Sequence, residues 1–169
     1  MLLITRVMSD KKFICDRMLK RLAVWLRLSG YDTLCDEALN GVNSRKEDTY
    51  LVENFADRIL LTRDRELYER RKLKGLPVKL IKSSNVGEQL KEVSEFGIKI
   101  FPVMKRCTVC NAELRKPTEE EIMEVAEREN LGEHILKKDL WYCENCKKLY
   151  WIGGHWKNMV KFLEKHNLI

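Results

Sequence analysis

Seven residues in this 169-residue chain have types and spacings that could do chemistry. Cys107 and Cys110 are separated by two residues, and so are Cys143 and Cys146. Two such pairs supply four thiolates, enough to close a tetrahedral Zn²⁺ site and leave no position for a substrate, so the zinc would be structural. A redox dithiol is the alternative for a C-x₂-C pair. The other three are Asp16, Asp48 and Asp64. Asp16 and Asp64 each end a short apolar run and precede a helical pattern. If those runs are neighbouring parallel strands, both carboxylates open on one sheet edge. Asp48 stands three, four and seven residues ahead of Leu51, Val52 and Phe55. That spacing places it on the buried face of its helix, in the first turn. Carboxylates gathered at one point repel unless some are protonated or a cation lies between them. Few oxygen ligands, completed by water, suit Mg²⁺ or Mn²⁺. Asp16 and Asp64 are also well placed to be plain helix N-caps.

These residues need elements to position them. Residues 13–15 read as a strand closed by Asp16. A helix follows, with Met18, Leu19, Leu22, Ala23 and Leu26 on its apolar face and Arg17, Lys20, Arg21 and Arg27 on another, and Gly30 stops it. A short strand at 33–35 leads into a loop at 36–43. Residues 44–57 read as a helix opened by a Ser44–Glu47 capping box, which occupies Glu47 and favours Asp48 as the third acid. Strands at 59–62 and 78–81 alternate with helices at 65–74 and 86–96, and a further short strand is expected at 98–101. This alternation predicts an α/β fold with a mostly parallel central sheet flanked by helices. Composition shifts near Pro102. Beyond it lie the two cysteine pairs and, between them, a helix at 118–130 with a Thr118–Glu121 capping box. Aromatic residues flank the second pair. The organisation expected is a tail at 1–11, an α/β domain at 12–104, and a small zinc ribbon with a helical insertion at 105–169. In the last helix Met159, Val160 and Leu163 form a docking face.

Charged residues are 34% of the chain and hydrophobic ones 44%, which excludes a disordered polymer. No apolar run is long enough to span a bilayer, and the first residues lack the pattern of a secretory signal, so a cytoplasmic protein with no membrane partner is expected. The net charge is +6, and it is uneven. Residues 1–104 carry 20 basic and 15 acidic side chains, whereas residues 105–169 carry 12 and 11. The excess on the first domain suits a phosphate-rich partner. Cys15 and Cys35 lie in apolar contexts and read as small buried hydrophobes.

The acid closing the first strand, the run MLKRLAVWLRLSGYDT from Met18, and LLTRDREL over residues 60–67 resemble the Mut-seven carboxy-terminal ribonuclease domain family of PIN-like nucleases. So do the cysteine ribbon, Tyr150-Trp151 and Gly154-His155-Trp156, and the resemblance covers nearly the whole chain. It implies a PIN-like domain with a carboxy-terminal zinc ribbon. The activity implied is Mg²⁺- or Mn²⁺-dependent hydrolysis of RNA, with Asp16, Asp48 and Asp64 as the catalytic, metal-holding acids. Many PIN domains use a fourth acid, for which Glu66 and Asp32 are the candidates here. Lys20 stands where the family pattern has glycine. Arg17, Lys20, Arg63 and Arg65 flank the acids and would hold phosphate, since positive charge positions a backbone without reading bases. Single-stranded RNA is the partner expected, and PIN-like domains often form homodimers. The alternative is a non-catalytic RNA- or ribosome-binding protein whose acids are caps. A phosphotransferase using Asp16 would commonly carry a second acid two residues on, where this chain has Met18.

Overall fold

A computed structural model of the chain describes residues 11–169. The expected tail at 1–11 lies outside the described residues except for Lys11. Strand β1 (Phe13–Cys15) is buried at all three positions. An unbroken apolar run of this kind marks a strand covered on both faces, as in helix-flanked parallel sheets. Its neighbours are β2 (Thr33–Leu34) and β3 (Ile59–Thr62), and β4 (Val78–Leu80) pairs with the far side of β3. The order is β2-β1-β3-β4, and every pairing is parallel. Leucine 61 lies opposite Cys15, and Leu34 and Leu60 lie opposite Ile14.

The two-residue period of the strands sends alternate side chains into two cores. Phe13, Cys15 and Leu61 face α1 (Lys20–Leu28) and α4 (Val86–Ser94), and pack with Leu22, Leu26, Leu90 and Val93. Ile14 and Leu60 face the other way, toward Leu51 and Val52 of α2 (Glu47–Glu53) and Leu67 of α3 (Arg65–Leu73). Helix α1 stops as Gly30 predicts. Gly30 adopts φ 84°, its amide bonds to the Arg27 carbonyl, and the Tyr31 amide bonds to the Leu26 carbonyl. These are the two bonds of a Schellman cap.

Beyond the parallel sheet the chain forms α5 (Glu119–Arg128) and the antiparallel hairpin β5 (Leu140–Cys143) and β6 (Lys148–Trp151). The Thr118–Glu121 capping box is formed in both directions. Val125, Ile135, Leu140, Tyr142 and Leu149 make a small separate core. The last helix, α6 (Gly154–Lys165), returns to the first core. Leu163 is buried there, and Phe162 stacks on Trp25 with ring centroids 5.1 Å apart.

Three local expectations change. Residues 98–101 form no strand. Ile98 and Ile100 are still buried, but the Tyr31 hydroxyl accepts from the Lys99 amide at 2.9 Å and donates to the Lys99 carbonyl at 3.1 Å, in place of a strand partner. The 44–57 helix is shorter, because a 3₁₀ turn (Ser44–Lys46) capped by Asn43 precedes α2. Arg71 stands in the basic run Arg70-Arg71-Lys72, which reads as surface, but it is wholly buried, and its guanidinium donates to the carbonyls of Leu51, Asn54, Phe55 and Arg58 where α2 ends.

Candidate active site and metal centre

The carboxyl ends of β1 and β3 bring Asp16 and Asp64 to one sheet edge, beyond which ligands bind in open α/β sheets. Asp16 is only 7% exposed. Its Oδ1 accepts from the Met18 amide at 2.9 Å, which caps the 3₁₀ turn Arg17–Leu19. Its Oδ2 accepts from the Thr62 hydroxyl and from the Arg63 amide at 3.3 Å. Burial pushes the Asp16 carboxyl up from its ordinary value, and these hydrogen bonds only partly oppose the shift. Asp64 is exposed. Its Oδ1 caps α3 by accepting from the Leu67 amide at 2.9 Å, and Oδ2 has no partner among the described residues. The Asp64 amide donates to the Thr62 hydroxyl at 2.9 Å. Thr62 thus joins the two acids. Its place between an apolar run and Arg-Asp was the only signal for it in the sequence.

Asp48 is exposed in the first turn of α2. This corrects the expectation that it sits on a buried face. Leu51 and Val52 are covered, but the helix starts only at Glu47, and its first turn projects beyond that cover. Among the described residues the Ser44–Glu47 capping box does not form: Asn43 caps this segment, and Glu47 takes Arg17. The Arg17 Nε and Nη2 donate to the Glu47 carboxylate at 2.8 to 3.1 Å. Glu47 is therefore occupied, by a different partner, while Asp48 has no partner among the described residues. The oxygens of Asp16, Asp48 and Asp64 do not all lie within 4.8 Å of one another. Even so, the donor set fits a hard cation. Among the described residues Asp16 is a buried carboxylate that accepts from neutral donors, and Asp48 and Asp64 keep open oxygens.

All four flanking cations, Arg17, Lys20, Arg63 and Arg65, are exposed. Neither Arg63 nor Arg65 has an ion-pair partner among the described residues, whereas Arg17 is engaged by Glu47. Of the two further acids, Asp32 precedes β2 and so lies at the opposite sheet edge, where Arg58 grips it with two nitrogens at 2.7 and 2.9 Å. Glu66 is exposed in the first turn of α3.

The four cysteines form the one group whose ligand atoms all lie within 4.8 Å of each other among the described residues. The sulfurs of Cys107 and Cys146 are 3.8 Å apart, and those of Cys110 and Cys143 are 3.5 Å apart. Thiolates at the usual Zn–S length on a tetrahedron are about 3.8 Å apart, so the cluster fits zinc. The amides of Val109 and Cys110 point at Cys107 Sγ, and that of Cys146 at Cys143 Sγ, all at 3.4 to 3.5 Å. The Tyr150 hydroxyl lies 3.1 Å from Cys107 Sγ. Burial raises the Cys107 thiol, but the Tyr150 hydroxyl and the two amides outweigh it and leave it at about 7. The remaining two cysteines, Cys15 and Cys35, are buried in the first core as expected, and burial holds the Cys15 thiol well above its ordinary value.

Arg71 is not the only buried cation that the sequence reads as polar surface. Arg27 was expected on a polar face but is 3% exposed. Its Nε donates to the Thr33 carbonyl at 2.7 Å, Nη1 to the carbonyls of Thr108 and Val109 at 3.1 and 2.9 Å, and Nη2 pairs with Glu37. It ties the first cysteine knuckle to α1 and β2. Among the described residues no helix is long and apolar enough to cross a membrane.

A family model described as the Mut7-C RNAse domain matches residues 11–163. No curated protein and no solved structure matches the chain.

Proposed function

The chain belongs to the Mut7-C RNAse domain family, and from that membership we propose that it hydrolyses RNA phosphodiester bonds with Mg²⁺ or Mn²⁺ held by Asp16, Asp48 and Asp64. The observation that carries this reading is the Asp16 carboxylate. It is buried at the carboxyl end of β1, its hydrogen-bond donors among the described residues are neutral, and it is joined through Thr62 to the backbone of Asp64. A buried carboxylate without a cationic partner is costly, and a bound divalent ion offsets that cost.

When bound, the ion would supply an activated water and neutralise charge developing on the phosphodiester. The chain's own residues do the positioning. The Met18 and Arg63 amides and the Thr62 hydroxyl fix the Asp16 carboxylate. Asp48 and Asp64 present open oxygens on the solvent side. Arg63, Arg65 and Lys20 hold the backbone of single-stranded RNA, and Arg17 orients the start of α2 through Glu47. In this reading residues 12–104 form the nuclease unit, and residues 105–169 form a zinc-stapled ribbon and the helix that returns to it. Six free thiols, four of them clustered, suit a reducing, cytoplasmic setting.

The second reading is a non-catalytic RNA-binding protein. One observation favours it: Asp16 and Asp64 both cap helical turns. The deciding experiment is cleavage of labelled single-stranded RNA in Mn²⁺ by wild type and Asp64→Asn, with an EDTA control followed by Mn²⁺ restoration. Cleavage lost in both, and regained with Mn²⁺ in wild type, supports the nuclease. Cleavage unchanged by the substitution places the activity elsewhere. RNA bound without cleavage supports the second reading.

A further inference from the structure

Between α1 and the first cysteine knuckle lies a cleft of about 400 Å³. Ala23 and Val24 of α1 and Val109 of the knuckle form apolar walls; Lys20, Asn40 and Thr108 supply polar groups, and the Glu37 carboxylate on the lining is paired with Arg27. Cys35 also lines it, and the Cys35 thiol lies 3.6 Å from the Asp16 carbonyl oxygen. The cleft therefore begins one strand away from the acid edge, about 4.8 Å in the sheet's hydrogen-bonding direction. Arg27 fixes its width by bonding β2 and the Thr108 and Val109 carbonyls at once.

Resting on the ribonuclease reading, we propose that this cleft is a nucleotide subsite that takes one unpaired nucleotide of the RNA strand next to the phosphate at the acid edge. The zinc knuckle is then one wall of the substrate site as well as a staple. The volume falls within the range of sites for single small organic groups, roughly 300 to 1,000 Å³, and is far too small for a duplex. Its chemistry suits a nucleotide. The apolar walls contact a base, Asn40 and Thr108 can bond its edge, and Lys20 on the lining carries the charge for a flanking phosphate. Val109 fits this use. It is 56% exposed at the tip of the knuckle, where no core covers it.

The test is equilibrium binding of a short fluorescent single-stranded oligoribonucleotide to zinc-loaded Asp64→Asn protein, with Val24→Asp or Val109→Asp added. Met123→Asp, an exposed apolar position on α5, adds the same charge outside the cleft. Both cleft substitutions are expected to weaken binding at least tenfold, with Met123→Asp unchanged and zinc content unchanged in all. A 4-thiouridine oligonucleotide should crosslink to the knuckle that carries Val109. Cleft variants that bind as tightly as the parent, or as Met123→Asp, overturn the subsite, and so does a parent that binds no RNA. If the cleft variants lose binding while otherwise wild-type protein cleaves nothing, the subsite stands and the ribonuclease reading fails.

Discussion

The Thr62 hydroxyl donates to the Asp16 carboxylate and, with the same oxygen, accepts the Asp64 amide at 2.9 Å. One buried side chain therefore sets both the orientation of the first acid and the backbone of the last. Thr62→Val keeps the shape of the side chain and removes the hydroxyl. Groups that orient metal-binding carboxylates typically cost about 10- to 100-fold in affinity or activity when removed. Initial cleavage rates at saturating Mn²⁺ should fall by that factor, and Thr62→Ser, which restores the hydroxyl, should recover most of it. A Thr62→Val enzyme as fast as wild type would show that Asp16 needs no help from β3.

Glu47 and Asp48 are adjacent but differ in what they hold. Glu47 is taken by Arg17, and Asp48 has no partner among the described residues. Asp48→Asn should weaken Mn²⁺ binding at least about tenfold, since affinity at oxygen-ligand sites follows the ligand charge count. Glu47→Gln removes one partner of a partly exposed ion pair, worth about 0.2–1 kcal/mol, and should leave Mn²⁺ affinity close to wild type. Titration of each variant by Mn²⁺ paramagnetic relaxation measures both. The reverse order would make Glu47 the third ligand.

What could be read from the sequence was local. The apolar runs gave the strands, Gly30 gave the end of α1, Thr118 and Glu121 gave the start of α5, and the cysteine spacing gave the metal centre. What could not be read depends on partners distant in the chain. Arg27 and Arg71 look like surface cations, because in sequence a buried arginine differs from an exposed one only through the carbonyls that will surround it. Those carbonyls, at Thr108, Val109, Leu51 and Asn54, meet the arginines only after folding. Asp48 was misjudged for a related reason. The helical period was right, but the depth of cover over the first turn depends on where the helix begins.

Asp32 gives the fold a pH dependence away from the acid edge. Burial alone would raise its carboxyl, but bonds from Arg58 and Asn111 outweigh burial and hold it below the ordinary value. A carboxyl lowered in the native state binds its proton more weakly there than in the unfolded chain. Its contribution to stability is complete above the unfolded value, about 3.9, and is lost as pH falls through the native value. Asp32→Asn should therefore lower the thermal midpoint at neutral pH, with the gap to wild type closing below about pH 4. A gap that is constant with pH would mean that the hydrogen bonds, and not the charge, carry the effect.

Arg27 couples the zinc centre to the parallel sheet, because two of its acceptors, the Thr108 and Val109 carbonyls, lie inside the first knuckle. Arg27→Met removes a buried guanidinium from those carbonyls and from the partly exposed Glu37, which keeps the Cys35 amide, and the cost should approach the roughly 3–5 kcal/mol of breaking a buried pair. Arg27→Lys should recover only part, since an ammonium cannot reproduce a planar fork that reaches β2 and the knuckle together. Cys143→Ser removes a zinc ligand at the other knuckle, and should abolish stoichiometric zinc binding and lower stability. If the knuckle holds its shape only with zinc, Arg27 loses two acceptors in that variant. The two costs then fall short of additive, by about 0.5–3 kcal/mol for residues sharing one network. Urea unfolding of the two single variants and the double variant, with zinc content measured for each, gives that coupling directly. Additive costs would mean that the Thr108 and Val109 carbonyls stay in place without the metal, and that Arg27, rather than zinc, sets the position of the knuckle against α1.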